Sequence, residues 1–224
     1  MYVIASRKEH NMHSQISIIC SGGQLGEWAL PYIDQAHYLI GADRGAQFLI
    51  DNGFTPNIAI GDFDSVTKEQ YEIIEQKSKE ILSFDAIDKD YTDTELSFLH
   101  AIKRGSKEIL LLGGLGTRFD HSLGNIQLLS LALKTGIKAS LIDAHNRIRL
   151  MEDKLQVERE QFDYISLLPY SDVVTGITLD GFMYPLHNAT IEKGQSIGVS
   201  NKLIESSGSI QIATGQLLVI QSND

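Results

Sequence analysis

The feature that most constrains this chain is a change of hydrophobic period near its middle. From Ile16 to about Leu150, short apolar runs alternate with amphipathic stretches. Strands are expected at 16–20 (ISIIC), 37–42 (HYLIGA), 57–63 (NIAIGDF), 81–84 (ILSF), 108–114 (EILLLGG) and 138–143 (KASLID). Helices are expected near 26–35, 44–52, 67–79, 93–104 and 121–135. Thr67 with Gln70, and Thr92 with Glu95, stand at the spacing of a capping box, which marks a helix start. Strands joined by helices give a mostly parallel sheet covered on both faces. Past Leu150 the helical period disappears. Strand-like runs (YISLLPY, GITLDGFMY, QSIGVSN, SGSIQIA, GQLLVIQ) follow one another, separated by glycines, as in an antiparallel sandwich or barrel. The expected fold is therefore α/β, with an N-terminal mostly parallel sheet flanked by helices and then an all-β, sandwich-like C-terminal domain. Residues 1–15 read as a loose arm with Met12 as an alternative start, 16–147 as the α/β domain and 148–224 as the β domain.

Charge and cysteine content remove several classes of function. Lys and Arg number 19 against 29 Asp and Glu, a net charge of −10, which argues against a general nucleic-acid binder. Cys20 is the single cysteine, so neither an intrachain disulfide nor a multi-cysteine zinc site can form. No apolar run approaches the ~20 residues of a membrane span, and no stretch resembles a signal peptide. A soluble, cytoplasmic protein is expected.

The acidic residues of the first half cluster where strands end. GADRG (41–45), GDFDS (61–65), DKDYTD (88–93) and GGLGTRFDH (113–121) each link a strand to a helix. In an open parallel sheet the carboxyl ends of the strands form the ligand crevice. Asp43, Asp62, Asp64, Asp90, Asp93 and Asp120 are thus expected to converge, and so many carboxylates call for a compensating cation. On an extended segment Asp62 and Asp64 point the same way. Hard carboxylate oxygens favour Mg²⁺, with Mn²⁺ possible, and Mg²⁺ is commonly shared with substrate phosphates, which brings in ATP. Taken singly, each motif also has a plainer reading. One aspartate of the D-x-D pair can serve a helix start while the other is solvated, and Thr92 with Asp93 suits an ordinary helix N-terminus. In the third segment, Gly113, Gly114 and Gly116 let backbone amides approach an anion, and Arg118 can grip a phosphate. It is neither a Walker loop nor G-x-G-x-x-G. His121 is a ligand or base on one reading and a capping or packing residue on the other. Trp28 is expected to pack on the first helix, and His187 with Asn188 to form a turn.

Read together, GADRG, GDFDS, DKDYTD and GGLGTRFDHSLGN resemble the thiamine pyrophosphokinase (thiamine diphosphokinase) family in order and spacing, and VSN (199–201) fits its thiamine-binding domain. The resemblance runs from about Ile16 to the C-terminus. It implies transfer of the pyrophosphoryl group of ATP to the hydroxyethyl oxygen of thiamine, giving thiamine diphosphate and AMP. By position, Asp62, Asp64 and Asp93 match the family's magnesium-binding aspartates, with Asp120 beside them in the catalytic set. Asp43, Arg44, Lys89, Asp90, Thr92, Gly114, Arg118, His121 and Asn125 fall in its ATP- and phosphate-binding segments, and Ser200 and Asn201 match its thiamine-contacting pair. Asp93 or Asp120 is the candidate base for the alcohol proton. The resemblance also implies a homodimer, with the site between the α/β domain of one subunit and the β domain of the other. Two positions depart from the family pattern. Many relatives have glycine where this chain has Arg44, and Lys89, where eukaryotic members favour glutamine, looks bacterial. The alternatives are a pyrophosphokinase for another acceptor such as a hydroxymethyl-pterin, a phosphatase with Asp62 as nucleophile, and a non-catalytic nucleotide sensor.

Overall fold

The structure is a computed structural model that describes residues 15–83 and 91–224. Six parallel strands build its first half: β1 (Ile16–Cys20), β2 (Tyr38–Ala42), β3 (Ile58–Gly61), β4 (Ile81–Ser83), β5 (Glu108–Leu112) and β6 (Lys138–Ile142). All but β4, at the sheet edge, and the first two residues of β6 are almost wholly buried. This is why they read as continuous apolar runs rather than as alternating ones. The helices are α1 (Leu30–Ile33), extended at its start by a 3₁₀ turn at Glu27–Ala29, then α2 (Arg44–Asp51), α3 (Lys68–Lys77), α4 (Asp93–Lys103) and α5 (Phe119–Lys134). Thr67 closes a full capping box with Gln70 at the start of α3. Thr92 caps α4 by accepting the Glu95 N–H at 3.2 Å.

Cores form on both faces of the sheet. On one, Ile18, Leu39 and Leu110 meet α1 and α2, with Trp28 against the cluster and edge-on to Tyr32 at 6.5 Å. On the other, Ile19, Ile40 and Leu111 meet Phe98 of α4 and Leu128 and Leu129 of α5.

The second half contributes β7 (Asn146–Met151), β8 (Lys154–Glu158), β9 (Tyr164–Pro169), β10 (Val173–Asp180), β11 (Ala189–Glu192), β12 (Ser207–Gln211) and β13 (Leu217–Ser222). Three of them extend the parallel sheet antiparallel, giving the nine-stranded order β4-β3-β2-β1-β5-β6-β7-β13-β9. The other four form an antiparallel sheet, β11-β10-β12-β8. A core of Val157, Leu167, Ile177, Ile210 and Val219 lies between the two layers. Alternating burial in β9 and β13 is the signature of strands with one face in that core.

Two expectations need correction. QSIGVSN is not a strand; residues 197–200 are turns, tied to β9 by a bridge between Asn201 and Ile165 and by the Leu167 N–H donating to Gly198 O at 2.8 Å and the Ser200 N–H to Ser166 Oγ at 3.0 Å. The run GITLDGFMY stops being a strand at Asp180, because Gly181 takes a left-handed φ of 84° against the carbonyl of Ser207. Among the described residues, no helix is long and apolar enough to cross a membrane.

Candidate active site

The sheet reverses its order of strands between β1 and β5, so the loops at the carboxyl ends of β1, β2, β3 and β5 surround a crevice. The GADRG motif shows how local sequence builds its wall. A side chain on Gly41 would run into Ala46, and one on Gly45 into the Cys20 carbonyl oxygen, so both glycines let α2 lie directly against the sheet. Between them Asp43 adopts φ 50°, ψ −119°, with its N–H bonded to Ile60 O at 3.0 Å. The conformation turns its carboxylate into the crevice and is uncommon for a residue with a Cβ.

The D-x-D pair reaches the same place by a different route from the one expected. The segment is not extended, since β3 ends at Gly61 and Phe63 takes a left-handed φ of 57°. Phe63 is buried and packs edge-on to Tyr71 at 5.3 Å, which anchors the kink. Asp62 and Asp64 therefore converge through a turn, with the Asp64 N–H donating to Asp62 Oδ1 at 3.2 Å. One carboxylate oxygen from each of Asp43, Asp62 and Asp64 lies within 4.8 Å of the others. Burial pushes the Asp43 carboxyl above the ordinary range, a hydrogen bond from Ser65 Oγ opposes the shift, and Asp93, Asp64 and Asp62 add to it. Asp43 Oδ1 is buried without a hydrogen-bond partner. Three crowded carboxylates with a buried unpartnered oxygen among them make a donor set that suits a hard divalent cation.

Asp93, the first residue of α4, stands close enough to Asp43 to shift its titration, although the tight group is Asp43, Asp62 and Asp64. The start of α4 is fixed to the end of β1 by a buried hydrogen bond between Ser21 Oγ and Thr94 Oγ1 at 2.6 Å. Lys89 and Asp90 lie outside the described residues.

The glycine-rich segment is held from within α5. Asn125 Nδ2 donates to the Gly114 carbonyl at 2.7 Å, and Ser122 Oγ accepts the Gly116 N–H at 3.1 Å. Arg118 and Asp120 form a two-pronged ion pair, 2.6 Å at its shorter contact, with both side chains largely exposed (69% and 65%). The guanidinium holds the Asp120 carboxyl below the ordinary range, which makes it a poor proton acceptor. A cleft of about 400 Å³ lies between the start of α4 and α5, and Thr92, Glu95, Asp120, His121, Asn125 and Tyr170 line it. A second cleft of about 310 Å³ opens beside α2.

Ser200 and Asn201 line neither cleft. Asn201 is buried, and its amide holds the neighbouring backbone: Oδ1 accepts the N–H groups of Tyr184 at 3.0 Å and Lys202 at 2.8 Å, while Nδ2 donates to Tyr184 O at 2.8 Å. Ser200 is exposed at a left-handed φ of 59°. Sequence reasoning passed over Ser65, although it closes the GDFDS motif, and Tyr170, which no local pattern marks.

Residues 30–141 match the family model of the thiamin pyrophosphokinase catalytic domain, and residues 152–219 that of the thiamin pyrophosphokinase vitamin B1 binding domain. The thiamine pyrophosphokinase of Bacillus subtilis (strain 168) is 39% identical over 195 residues, covering 86% of this chain and 91% of that one. This chain belongs to the thiamin pyrophosphokinase family. Its fold agrees: the crystal structure of the Bacillus subtilis thiamine pyrophosphokinase superposes with a TM-score of 0.86 at 37% identity, covering 93% of this chain and 99% of that one. The Geobacillus thermodenitrificans thiamin pyrophosphokinase gives 0.83 at 32% identity, covering 93% and 98%. Yeast thiamin pyrophosphokinase shares the fold at 17% identity, with a TM-score of 0.76 over 95% of this chain and 88% of that one. With both halves of the chain matched, the pterin-kinase, phosphatase and nucleotide-sensor alternatives are not favoured.

Proposed function

We propose that this protein is a thiamine diphosphokinase. The thiamine hydroxyl oxygen attacks Pβ of ATP, the bond between Pβ and the Pα-linked bridging oxygen breaks, AMP leaves with that oxygen, and the hydroxyl proton is lost. The observation that carries the reading is the converging group of Asp43, Asp62 and Asp64 in a chain whose two halves both match the family.

Asp62, Asp64 and Asp93, with Asp43 adjoining them, would hold Mg²⁺, or Mn²⁺ in its place. The metal, when bound, supplies positive charge against the polyphosphate oxygens. Ser65 orients Asp43 through its hydrogen bond, and the Ser21–Thr94 contact sets where Asp93 stands. Arg118 presents its guanidinium to a phosphate by exchanging the Asp120 carboxylate for it, a low-cost exchange because the pair is solvated. Lys89, Asp90, Thr92, Gly114, His121 and Asn125 complete the polar surround. Asp93 or Asp120 takes the alcohol proton, the hydrogen bonds from Arg118 lowering the basicity of Asp120. Residues 16–147 form the ATP- and metal-binding part and 148–224 the thiamine-binding part, in a cytoplasmic enzyme.

Ser200 and Asn201 belong to the thiamine site of a homodimer, facing the acids of the other subunit. Exposed Met183, Tyr184, Ile197, Val199 and Ile204 lie in the same loops, an apolar surface suited to a partner subunit. Incubation with ATP, Mg²⁺ and thiamine tests the activity: thiamine-dependent formation of AMP and thiamine diphosphate is the expected result. ADP as the product, or no nucleotide product at all, would refute it.

A further inference from the structure

The chain carries a net charge of −10, yet one corner of its second half is rich in cations. A cavity of about 190 Å³ opens there at the turn between β8 and β9, with Arg159, Glu160, Phe162, Asp163, Lys202 and Leu203 among its lining residues. Arg147 and Arg149 of β7 adjoin it through Glu160, whose carboxylate accepts from Arg147 Nη1 at 2.5 Å. Arg147, Arg149, Arg159 and Lys202 thus stand against Glu160 and Asp163.

The contacts of these side chains leave the surplus unanswered. Arg147 and Arg149 are two positions apart on one strand, so both leave the same face of the sheet. The pair of Arg147 with Glu160 is largely shielded, with 16% and 29% of the side chains exposed. The Tyr32 ring of α1 lies 5.7 Å from the Arg147 guanidinium carbon. Arg149 has a neutral partner, the amide oxygen of Gln221. Nε of both arginines is buried without a hydrogen-bond partner. Burial and the neighbouring Arg147 push the Arg149 pKa down to about 10, with Glu160 and Glu108 opposing, so the group stays cationic at neutral pH. At the cavity itself, Arg159 donates to the Leu203 carbonyl, and Lys202 Nζ lies 4.5 Å from the centre of the Tyr164 ring. Neither has a carboxylate partner among the described residues. Such a surplus in a partly dry site is unfavourable until an anion joins it. The turn is also fixed through its backbone. Gln221 Nε2 donates to Glu158 O at 3.1 Å, Asn223 Oδ1 accepts the Asp163 N–H at 2.7 Å, and Asn223 Nδ2 donates to Gln161 O at 2.5 Å.

We propose that this cavity is an oxyanion site that takes a phosphate group, separate from the acidic crevice. Arg159 and Lys202 meet the anion first, and Arg147 is released to it when the Glu160 carboxylate swings aside. Guanidinium forks match the paired oxygens of a phosphate. Free inorganic phosphate and the phosphate of an ester share that chemistry. None of these residues belongs to the metal or ATP set, so occupancy can be measured apart from the diphosphokinase activity.

The test uses the full-length Arg118→Ala protein, in which the phosphate grip of the crevice is weakened, at an ionic strength held constant with chloride. Inorganic phosphate and methyl phosphate are each titrated in while the arginine Nε–H signals are followed by ¹⁵N NMR. An added Arg149→Lys substitution identifies the Arg149 signal. The Arg147 and Arg149 signals should shift and saturate. Adding Arg159→Gln and Lys202→Gln together should weaken binding about tenfold, as loss of two charge-assisted contacts would give. Arg159 is exposed and Lys202 half-buried, so the fold is retained. Glu160→Gln removes the competing carboxylate and should tighten binding about threefold, a gain that damage to the fold would not produce. The tighter of the two ligands identifies the source, free ion or ester, and either result upholds the site. Signals that ignore both ligands, or that respond with the same affinity when Arg159 and Lys202 are replaced, would overturn it.

Discussion

Replacing Asp43 by Asn should stabilise the metal-free protein and abolish its response to magnesium. Asp43, Asp62 and Asp64 each place an oxygen within 4.8 Å of the others. At that separation two unit charges repel by about 0.9 kcal/mol in water and about 3.5 kcal/mol at an effective permittivity of ~20. Asp43 and Asp62 are half-buried and fall between these limits, while the exposed Asp64 is closer to the lower one. In the Asp43→Asn variant the carboxamide oxygen can still accept from Ser65 Oγ, and asparagine is tolerant of positive φ, so little is lost in exchange. The net gain expected is about 1–2 kcal/mol, or about 2–8 °C in Tm for a chain of this length. The wild type, by contrast, should be stabilised by Mg²⁺ through mass action, by about 2.7 kcal/mol at a hundredfold excess over Kd. Thermal melts of both proteins in EDTA and in Mg²⁺ should therefore cross: the variant melts higher without metal and the wild type gains on addition of it. A variant that melts lower in EDTA, or that keeps the full Mg²⁺ shift, would refute the electrostatic account.

Four further outcomes are expected. Asn201→Ala leaves the Tyr184 N–H and C=O without their side-chain partner and should cost about 1–3 kcal/mol in denaturant titrations, whereas Ser200→Ala should leave stability unchanged. Arg118→Ala should lower turnover without a measurable change in Tm, because its ion pair with Asp120 is solvated. His100 stacks on Tyr38, with Nε2 3.3 Å from the hydroxyl; burial and Arg104 lower its pKa, Lys103 adds to this, and Glu80 opposes it. The native state then binds this proton less tightly than the unfolded chain, so stability should fall as pH drops below about 6.5, and His100→Gln should flatten the decline in pH-dependent melts. Cys20 is wholly buried with its thiol pKa pushed up, so the native protein should resist thiol reagents until it unfolds.

The first half of the fold was legible because its physics is local. ISIIC and EILLL are apolar throughout, as strands covered on both faces must be, and Thr67 and Thr92 announce their helices by chemistry that acts within one turn. The second half was less so. NRIRLM, which became β7, carries Arg147 and Arg149 among its apolar residues. Those arginines are tolerated through long-range partners, Glu160 and Gln221, that no local pattern predicts. QSIGVSN has strand-like composition, yet Asn201 commits its hydrogen bonds to the Tyr184 loop, and a tertiary contact overrides propensity there. At the site, the acids were visible as a pattern. Their grouping was not, because whether Asp43 or Asp93 stands nearest Asp62 and Asp64 depends on two turns that sequence spacing does not encode.

Those turns also indicate where function acts against local preference. Among the described residues, four that are not glycine have positive φ: Asp43, Phe63, Asn188 and Ser200. Asn188 needs no special cause, since asparagine is enriched in that region. The other three lie in GADRG, GDFDS and VSN, the segments that carry the family resemblance. Each is costly for its residue type, by about 1–3 kcal/mol on general grounds, and glycine would relieve the strain at all three. Glycine at 43 would remove a carboxylate from the crevice, and at 63 the ring that pins the D-x-D turn against Tyr71. The strain at Asp43 and Phe63 is therefore the direct consequence of holding acids in a group that their own repulsion would open, and it persists because the buried ring and the Ser65 hydrogen bond fix the turn before any cation arrives.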